Sequence, residues 1–286
     1  MISESLSIAI LIPCYNEELT IGDVVTSFRA HFPTARIYVY DNNSQDATAA
    51  IASKAGAIVR HESRQGKGNV VRQMFADIDA DIYILADGDN AHPPEPAKQF
   101  VEALLNQHLD MVVGTRLENA EGARRYHAFG NRIFNTLVGI LFRRGMSDVF
   151  SGYRVFNRRF VKNFPAISRG FEIEVELSVH ALDLRLPFAE IPFTYSLRPA
   201  GSISKLNTFK DGFKVAWRRL VLLSETRPFR LFTWVATILM FAIILGVPLV
   251  ETFLQTSTVP RFPAAFAVVG LIVLGGHGIS SSIILE

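Results

Sequence analysis

Short apolar runs alternate with amphipathic stretches along the N-terminal part of the chain. The apolar runs are typical of buried strands: Ser7–Pro13, Arg36–Tyr40, Ala57–Arg60, Ile82–Ala86 and Met111–Thr115. Helices are predicted between them over Thr20–Phe32, over Asp46–Ala55, in a segment ending at Asp77, and from Pro93-Pro94 onward. Such alternation predicts a mainly parallel sheet in an α/β fold. A later strand, Phe188–Tyr195, is predicted near the edge of the sheet.

Polar clusters follow the predicted strands at the point where each one ends. These clusters are Asn16–Glu18, Asp41–Ser44, Asp87–Asn90 and Thr115-Arg116. Parallel α/β sheets bind ligands at the carboxyl ends of their strands. The pattern therefore predicts that the four clusters share one site.

The strand Ile82–Ala86 runs directly into two carboxylates, Asp87 and Asp89, with Gly88 between them. Two exposed carboxylates at a loop end can bind one hard cation and leave positions for phosphate oxygens. A divalent cation held this way would neutralise a diphosphate leaving group. A solvated acidic turn is the alternative, since Asp and Gly also favour turns.

Three further segments are candidates for the same site. Gly66-Lys67-Gly68 lacks the third glycine of a dinucleotide loop and follows the third strand, so a phosphate contact and a plain turn both remain open. In Gly170–Glu176, three glutamates alternate with apolar residues, and they face solvent unless one points into the site. Arg198–Lys205 is basic and small, which suits a loop that closes over anionic groups.

Hydrophobic residues make up 49% of the chain, and two nearly uncharged segments account for much of this, Phe229–Phe253 and Pro263–Leu285. Each is long enough to span a membrane, and buried core helices are the alternative. Asn131–Arg143 and Thr208–Leu223 have the patterns of helices lying in the membrane surface or packing on the sheet. We therefore expect a catalytic domain over 1–207, an amphipathic juxtamembrane helix over 208–228 and a transmembrane hairpin over 229–286.

The charge distribution and the cysteine content predict the compartment in which the N-terminal domain lies. Basic residues crowd the near side of the first span: Lys210, Lys214, Arg218, Arg219, Arg227 and Arg230. The far loop carries only Arg261, so the positive-inside rule predicts a multi-pass protein of the cytoplasmic (inner) membrane with its N-terminal domain in the cytoplasm.

The single Cys14 excludes an internal disulfide and fits a reducing compartment. No signal peptide is predicted, and we expect no nucleic-acid partner at a net charge of +2.

Several motifs in fixed order give the chain a family resemblance. They are Ile12 through Glu18, Asp41 through Asp46, Gly66-Lys67-Gly68, Asp87-Gly88-Asp89 with His92 through Glu95, Gly114-Thr115-Arg116, Asp148 through Arg154, and Arg198 through Lys205. With them, the chain resembles the inverting GT-A glycosyltransferases of family 2, in the dolichol-phosphate mannose synthase-like, polyprenyl-phosphate branch. The two apolar C-terminal segments match members of that branch that carry a membrane hairpin.

The resemblance implies a role for each matching residue. Nucleotide-sugar contacts are implied for Pro13, Tyr15, Glu17, Asp41, Lys67, Asp87 and Gly88, and metal binding for Asp87 and Asp89. Phosphate contacts, to donor or lipid, are implied for Arg116, Arg125, Arg198, Ser204 and Lys205, and catalytic roles for Asp148, Asp89 and Arg116. Ala91 stands where many members have a metal-binding Gln, so water or Asn90 would complete the coordination.

The implied reaction is attack by a polyprenyl phosphate (undecaprenyl or dolichyl) on a hexose-type nucleotide sugar, with Mg²⁺ or Mn²⁺ as cofactor and a UDP-sugar favoured over GDP-mannose. The hairpin and the lipid bilayer would hold a homo-oligomer, with a tetramer among the forms expected. Three alternative functions remain open. A processive polysaccharide synthase is disfavoured because no Gln-x-x-Arg-Trp stretch is present, and a dinucleotide oxidoreductase because its glycine fingerprint is missing. The intact Asp87 and Asp89 weigh against a non-catalytic nucleotide-binding membrane scaffold.

Overall fold

The computed structural model describes residues 6–116 and 145–194, together with helical positions between 236 and 277 that include the helix Val247–Thr256. The chain divides into two compact units, Met1–Val215 and Ala216–Glu286. All described strands lie in the first unit. The finer division at residues 207 and 228 stays a prediction.

The first unit alternates strands and helices in the predicted manner. The strands are β1 (Ile8–Cys14), β2 (Arg36–Asp41), β3 (Ile58–His61), β4 (Ile82–Leu85), β5 (Met111–Arg116), β6 (Arg154–Asn157) and β7 (Phe188–Phe193). The helices are α1 (Ile21–His31), α2 (Thr48–Lys54), α3 (Lys67–Asp77), α4 (Glu95–Asn106), α5 (Arg158–Asn163) and α6 (Ile173–Asp183), and α7 (Val247–Thr256) follows in the second unit.

The seven strands form one sheet in the order β3-β2-β1-β4-β6-β5-β7. Every pairing is parallel except those of β6, which is antiparallel to both β4 and β5. This confirms a mainly parallel α/β sheet, and β7 lies at its edge as predicted. The core behind the sheet is apolar, and the inward face of α1 (Ile21, Val24, Val25 and Phe28) is buried as its periodicity indicates.

Among the described strands, β6 is the one that the apolar pattern did not predict. It has only four residues and begins at Arg154, a charged residue that is fully buried. Because β6 is antiparallel, its beginning lies at the same edge as the ends of its neighbours, and Arg154 pairs with both Leu85 and Val113. The segment 147–153 is thereby brought to the edge where β4 and β5 end.

Within the part of the chain that the structure describes, no helix combines the length and the apolar character needed to cross a bilayer. The predicted spans, Phe229–Phe253 and Pro263–Leu285, fall largely outside the described residues. The same holds for the proposed interface helices Asn131–Arg143 and Thr208–Leu223. The membrane hairpin therefore stays a prediction.

Candidate active site

The loops after β1 and β2 are hydrogen-bonded to each other. The Asn16 amide donates to Ser44 Oγ at 2.9 Å, the Gln45 amide donates to Asn16 Oδ1 at 2.8 Å, and the Glu17 amide donates to Thr48 Oγ1 at 2.7 Å. Asn16 adopts a positive φ of 50°, a conformation that asparagine tolerates better than most residues. The loop that carries Tyr15 and Glu17 is thus fixed beside the loop that follows Asp41.

Asp41 closes β2 and is buried, with its carboxylate accepting from the Ser44 amide and lying 3.3 Å from His61 Nδ1. The next residue, Asn42, is also buried and was not singled out from the sequence. Its amide group donates to the carbonyls of Glu62 and Arg64, and its Oδ1 accepts from the Gly66 amide at 2.7 Å. Asn42 therefore ties the loop after β3 to this edge. Its place in the polar cluster was the only signal in the sequence.

The two glycines at the start of α3, Gly66 and Gly68, leave room for the main chain of residues 168 and 169, which passes close to them. A Cβ at Gly66 would lie 2.2 Å from the Arg169 carbonyl oxygen, and a Cβ at Gly68 would lie 2.2 Å from the Ser168 carbonyl oxygen. Gly66 also has a φ of +127°. Packing of the chain against itself therefore requires both glycines.

Lys67 extends from this turn into a cluster of carboxylates. Its ammonium lies 2.5 Å from Asp87 Oδ1 and 2.8 Å from Glu174 Oε1. Burial by itself lowers the pKa of Lys67, but the two carboxylates outweigh it and hold that pKa above the ordinary value for lysine. The charged lysine therefore holds Asp87 in place. Glu174 is the glutamate of the Gly170–Glu176 segment that points into the site.

Gly152 lies directly over the same cluster. A Cβ there would be 3.0 Å from both Asp87 Oδ2 and Lys67 Nζ, and 3.1 Å from Glu174 Oε1. The side chains of the cluster fill the space that any larger residue would need. The segment that leads into β6 therefore forms one wall of the site.

Asp89 is buried, with only 4% of its surface exposed. This corrects the expectation that both aspartates are exposed loop-end groups: Asp89 turns inward, and its Oδ1 accepts from the Ala91 amide at 3.1 Å. Gly88 between them is needed because a Cβ there would lie 2.6 Å from the sulfur of Cys14. The buried Cys14 therefore acts as packing against this turn.

His92 holds the main chain of Asp87. The Asp87 amide donates to His92 Nδ1 at 3.0 Å, and the imidazole stacks on the Tyr153 ring with the centroids 4.8 Å apart. Burial lowers the pKa of His92, so the ring stays neutral and carries its proton on Nε2. An unprotonated Nδ1 is what the hydrogen bond from Asp87 requires.

Arg116, at the end of β5, forms a two-pronged ion pair with Asp148. Its Nε and one terminal nitrogen each lie 2.9 Å from a different oxygen of the Asp148 carboxylate. The Arg116 side chain is 40% exposed and that of Asp148 is 14% exposed, so the ion pair is open to solvent on the arginine side. Two residues predicted separately thus meet in one pair.

Arg154 clamps the segment between Asp148 and β6. The fully buried guanidinium donates to the carbonyls of Ser151, Val149 and Glu174 and to Ser178 Oγ. Burial lowers the pKa of Arg154 to about 10, which leaves it charged at neutral pH. A single side chain therefore joins the loop of Asp148 to helix α6.

A divalent cation is compatible with this arrangement. In the described ranges, no group of three or more His, Cys, Asp and Glu side chains is placed to hold a metal. Mg²⁺, however, is commonly bound by one or two carboxylates together with substrate phosphates and water. Asp87 and Asp89 supply that oxygen donor set. Four predicted phosphate-binding residues lie outside the described residues: Arg125, Arg198, Ser204 and Lys205.

A mostly parallel sheet whose central strand is followed by two neighbouring aspartates is typical of the GT-A class of nucleotide-sugar-dependent glycosyltransferases. Residues 9–164 match the family model described as glycosyl transferase family 2. The chain belongs to this family and is a glycosyltransferase.

Two curated relatives and one solved structure are similar to the chain. The glycosyltransferase AglJ of Haloferax volcanii is 34% identical over 209 residues, 72% of this chain and 68% of that protein. A dolichyl-phosphate hexose transferase of the same organism is 29% identical over 206 residues, 72% of this chain and 89% of that protein. A glucosyl-3-phosphoglycerate synthase from Mycobacterium tuberculosis, solved with Mn²⁺, UDP-glucose and phosphoglyceric acid, superposes with a TM-score of 0.64 at 22% identity, covering 77% of this chain and 80% of that one. That last similarity concerns the fold.

Proposed function

We propose that this protein is a divalent-cation-dependent, inverting glycosyltransferase of the inner membrane that moves a hexose-type sugar from a nucleotide sugar to a polyprenyl phosphate. The observation that carries the proposal is that Asp87 and Asp89 follow β4, with Lys67 bound to Asp87, at the same edge of the sheet at which β5 ends in the Arg116–Asp148 pair. Paired carboxylates suit a cation on the donor diphosphate, and an accessible guanidinium suits a phosphate. The similarity to a dolichyl-phosphate hexose transferase supports the lipid acceptor.

Asp87 and Asp89 would hold the cation, which when bound would neutralise the departing diphosphate. Mn²⁺ and Mg²⁺ are both named for complexes of the mycobacterial synthase, and either suits oxygen ligands. Lys67 and His92 keep Asp87 oriented before the donor arrives, because one holds its carboxylate and the other its main chain. The donor in this proposal is a UDP-sugar, as in one complex of that synthase.

The acceptor side needs orientation more than a strong base. A polyprenyl phosphate is already an anion, so Asp148 need not remove a proton. Asp148 instead holds the partly exposed Arg116 guanidinium, and a guanidinium suits a phosphate oxygen. Catalysis then rests on keeping two anionic substrates in line within a preorganised set of charges.

Location at the cytoplasmic membrane belongs to the same proposal. The apolar segments Phe229–Phe253 and Pro263–Leu285 would anchor the catalytic domain, and the basic residues before them would place it on the cytoplasmic face. A lipid acceptor presents its phosphate at the membrane surface. An anchored domain would meet that phosphate directly.

The test is transfer by the purified full chain in detergent. Radiolabelled UDP-glucose, UDP-galactose and GDP-mannose are each offered with undecaprenyl phosphate, with phosphoglyceric acid, or with water alone. We expect one UDP-sugar to give a lipid product that carries a single sugar. A polymeric product would favour a processive synthase, nucleotide binding without turnover would favour a scaffold, and transfer only to phosphoglyceric acid would replace the lipid acceptor.

A further inference from the structure

Glu190, on the edge strand β7, binds the loop that carries Asp148. Its Oε1 accepts from the Ser147 amide and the Ser147 hydroxyl, each at 2.7 Å, and from the Asp148 amide at 3.3 Å. Three donors from two consecutive residues thus converge on one carboxylate oxygen. Hydrogen bonds to an ionised acceptor are roughly twice as strong as neutral ones. The main chain at Asp148 is therefore fixed to β7.

The contact continues from Asp148 to Arg116. Asp148 holds the Arg116 guanidinium through two bonds of 2.9 Å, and its Oδ1 also accepts from the Phe150 amide at 3.3 Å. The Asp148 carboxylate is thus held between the Phe150 amide and the Arg116 guanidinium while its own amide is held by Glu190.

The two ends of this chain of contacts stand on neighbouring strands. Arg116 ends β5, Glu190 lies on β7, and these strands pair in parallel with Val113 opposite Glu190 and Arg116 opposite Phe193. The contacts therefore form a closed circuit from β5 through Arg116, Asp148 and Glu190 to β7 and back across the sheet. An arginine that is 40% exposed loses rotamer freedom when it is held, and this circuit contributes to holding Arg116.

We propose that Glu190 is a positioning residue for the reaction, which acts through Asp148 to hold the Arg116 guanidinium ready for a substrate phosphate. The proposal rests on the function proposed above for Arg116. Without Glu190, the two amides of Ser147 and Asp148 and the Ser147 hydroxyl would lose their bonds to its carboxylate, and the Arg116 guanidinium would be less well ordered before substrate binds. Ordering a rotamer-rich side chain on binding costs affinity and rate.

Glu190→Ala removes the carboxylate that accepts from Ser147 and Asp148. Glu190→Gln keeps an acceptor oxygen on a side chain of the same length, but without the charge. Glu102→Gln, on the exposed face of α4, is the control for loss of one carboxylate. We expect Glu190→Ala to lower kcat/KM for undecaprenyl phosphate about tenfold or more, the scale of one lost charge-assisted contact, with Glu190→Gln between it and wild type. The affinity for UDP, measured by calorimetry, should not change.

A double-mutant cycle separates positioning from a general loss of stability. If Glu190 acts through Asp148, Glu190→Ala should cost less than about twofold in the Asp148→Asn background, because interacting residues are not additive. Equal losses in the two backgrounds, or a matching loss of UDP affinity, would overturn the proposal.

A second experiment, which does not depend on activity, uses NMR on protein labelled with ¹⁵N-arginine. It follows the Nε–Hε signal of Arg116, which is assigned by its loss in Arg116→Lys. We expect Glu190→Ala and Asp148→Asn to move this signal in the same way, while Glu102→Gln leaves it at the wild-type position. An unchanged signal in Glu190→Ala would overturn the proposal even if activity fell. If the wild type transfers no sugar to polyprenyl phosphate, the proposed function fails, and the signal still decides whether Glu190 positions Arg116.

Discussion

At the scale of single residues, the site depends on buried cationic side chains that fix the carboxylates and loops around them. Lys67 is 8% exposed and touches two carboxylates, and Arg154 is fully buried and donates to three carbonyls and one hydroxyl. Lys67, Asp87 and Asp148 could be singled out from the sequence because they lie in motifs. Asn42, Glu174 and Glu190 were not assigned roles, because their importance comes from contacts with residues far away in the chain.

Gly152→Ala tests how tightly the carboxylate cluster is packed. The added Cβ would lie 3.0 Å from Asp87 Oδ2 and Lys67 Nζ, which are ends of side chains that can shift. We expect unfolding free energy to change by less than about 1 kcal/mol. Activity should fall by about tenfold or more, because displacement of catalytic groups by an ångström is costly. Comparing urea unfolding with initial transfer rates checks this, and unchanged activity would mean that the cluster tolerates displacement.

Arg154→Met tests the clamp between the Asp148 loop and α6. The substitution keeps an apolar stem but removes the donor of the Ser151 carbonyl, while the Ser178 hydroxyl still lies 3.1 Å from the carbonyls of Val149 and Glu174. A buried acceptor left unsatisfied costs about 1–3 kcal/mol, so we expect a loss in that range. Arg154→Lys should recover only part of it, since one ammonium cannot reproduce the guanidinium fork. Full recovery by lysine in thermal unfolding would show that charge alone matters.

At the scale of elements, the sequence predicts helices α1 to α4 and all described strands other than β6 to within about two residues, because their apolar periodicity is set by burial. Strand β6 and helices α5 and α6 are not predicted. Strand β6 begins at a buried Arg154. Helix α6 begins in a run of alternating glutamates, of which Glu176 is buried and accepts from the amides of Ile167 and Ser168. In both cases a tertiary contact outweighs the local pattern.

Gly68→Ala tests why α3 begins with glycines. A Cβ there would meet the Ser168 carbonyl oxygen at 2.2 Å, and this neighbour is main chain, which cannot move as a side-chain end does. We expect a loss of about 2–3 kcal/mol in urea unfolding, the range of overpacked positions. Gly145→Ala is the matched control, because nothing lies within 4 Å of its added Cβ. Equal stability of the two variants would argue against a packing role for Gly68.

At the scale of the whole molecule, the sequence predicts more than the described residues test. The segments Phe229–Phe253 and Pro263–Leu285 are too apolar to be left in water, since burial contributes about 25 cal/mol per Å². They carry small or kinked positions where helices can approach closely: Gly246, Pro248, Gly270, Gly275 and Gly276. We therefore expect a hairpin that assembles copies of the chain.

Truncation before Arg227 tests the hairpin. We expect the shortened protein to sediment as a monomer in detergent, while the full chain sediments as a homo-oligomer, because the packing surfaces are removed. Transfer to undecaprenyl phosphate should fall more than transfer to a soluble short-chain acceptor, which does not require the membrane. A truncated protein that kept the oligomeric state of the full chain would exclude the hairpin as the element of assembly.

The most direct test of the central claim is metal-dependent sugar transfer to polyprenyl phosphate by Asp87→Asn and Asp89→Asn. Asparagine keeps the volume of the buried Asp89 and an acceptor for the Ala91 amide, so both variants should fold. Loss of the cation's several kcal/mol of transition-state stabilisation predicts a fall of about a hundredfold or more for each, together with weaker Mn²⁺ binding in the presence of UDP. Near-normal turnover by either variant, or by the wild type in EDTA, would contradict the account.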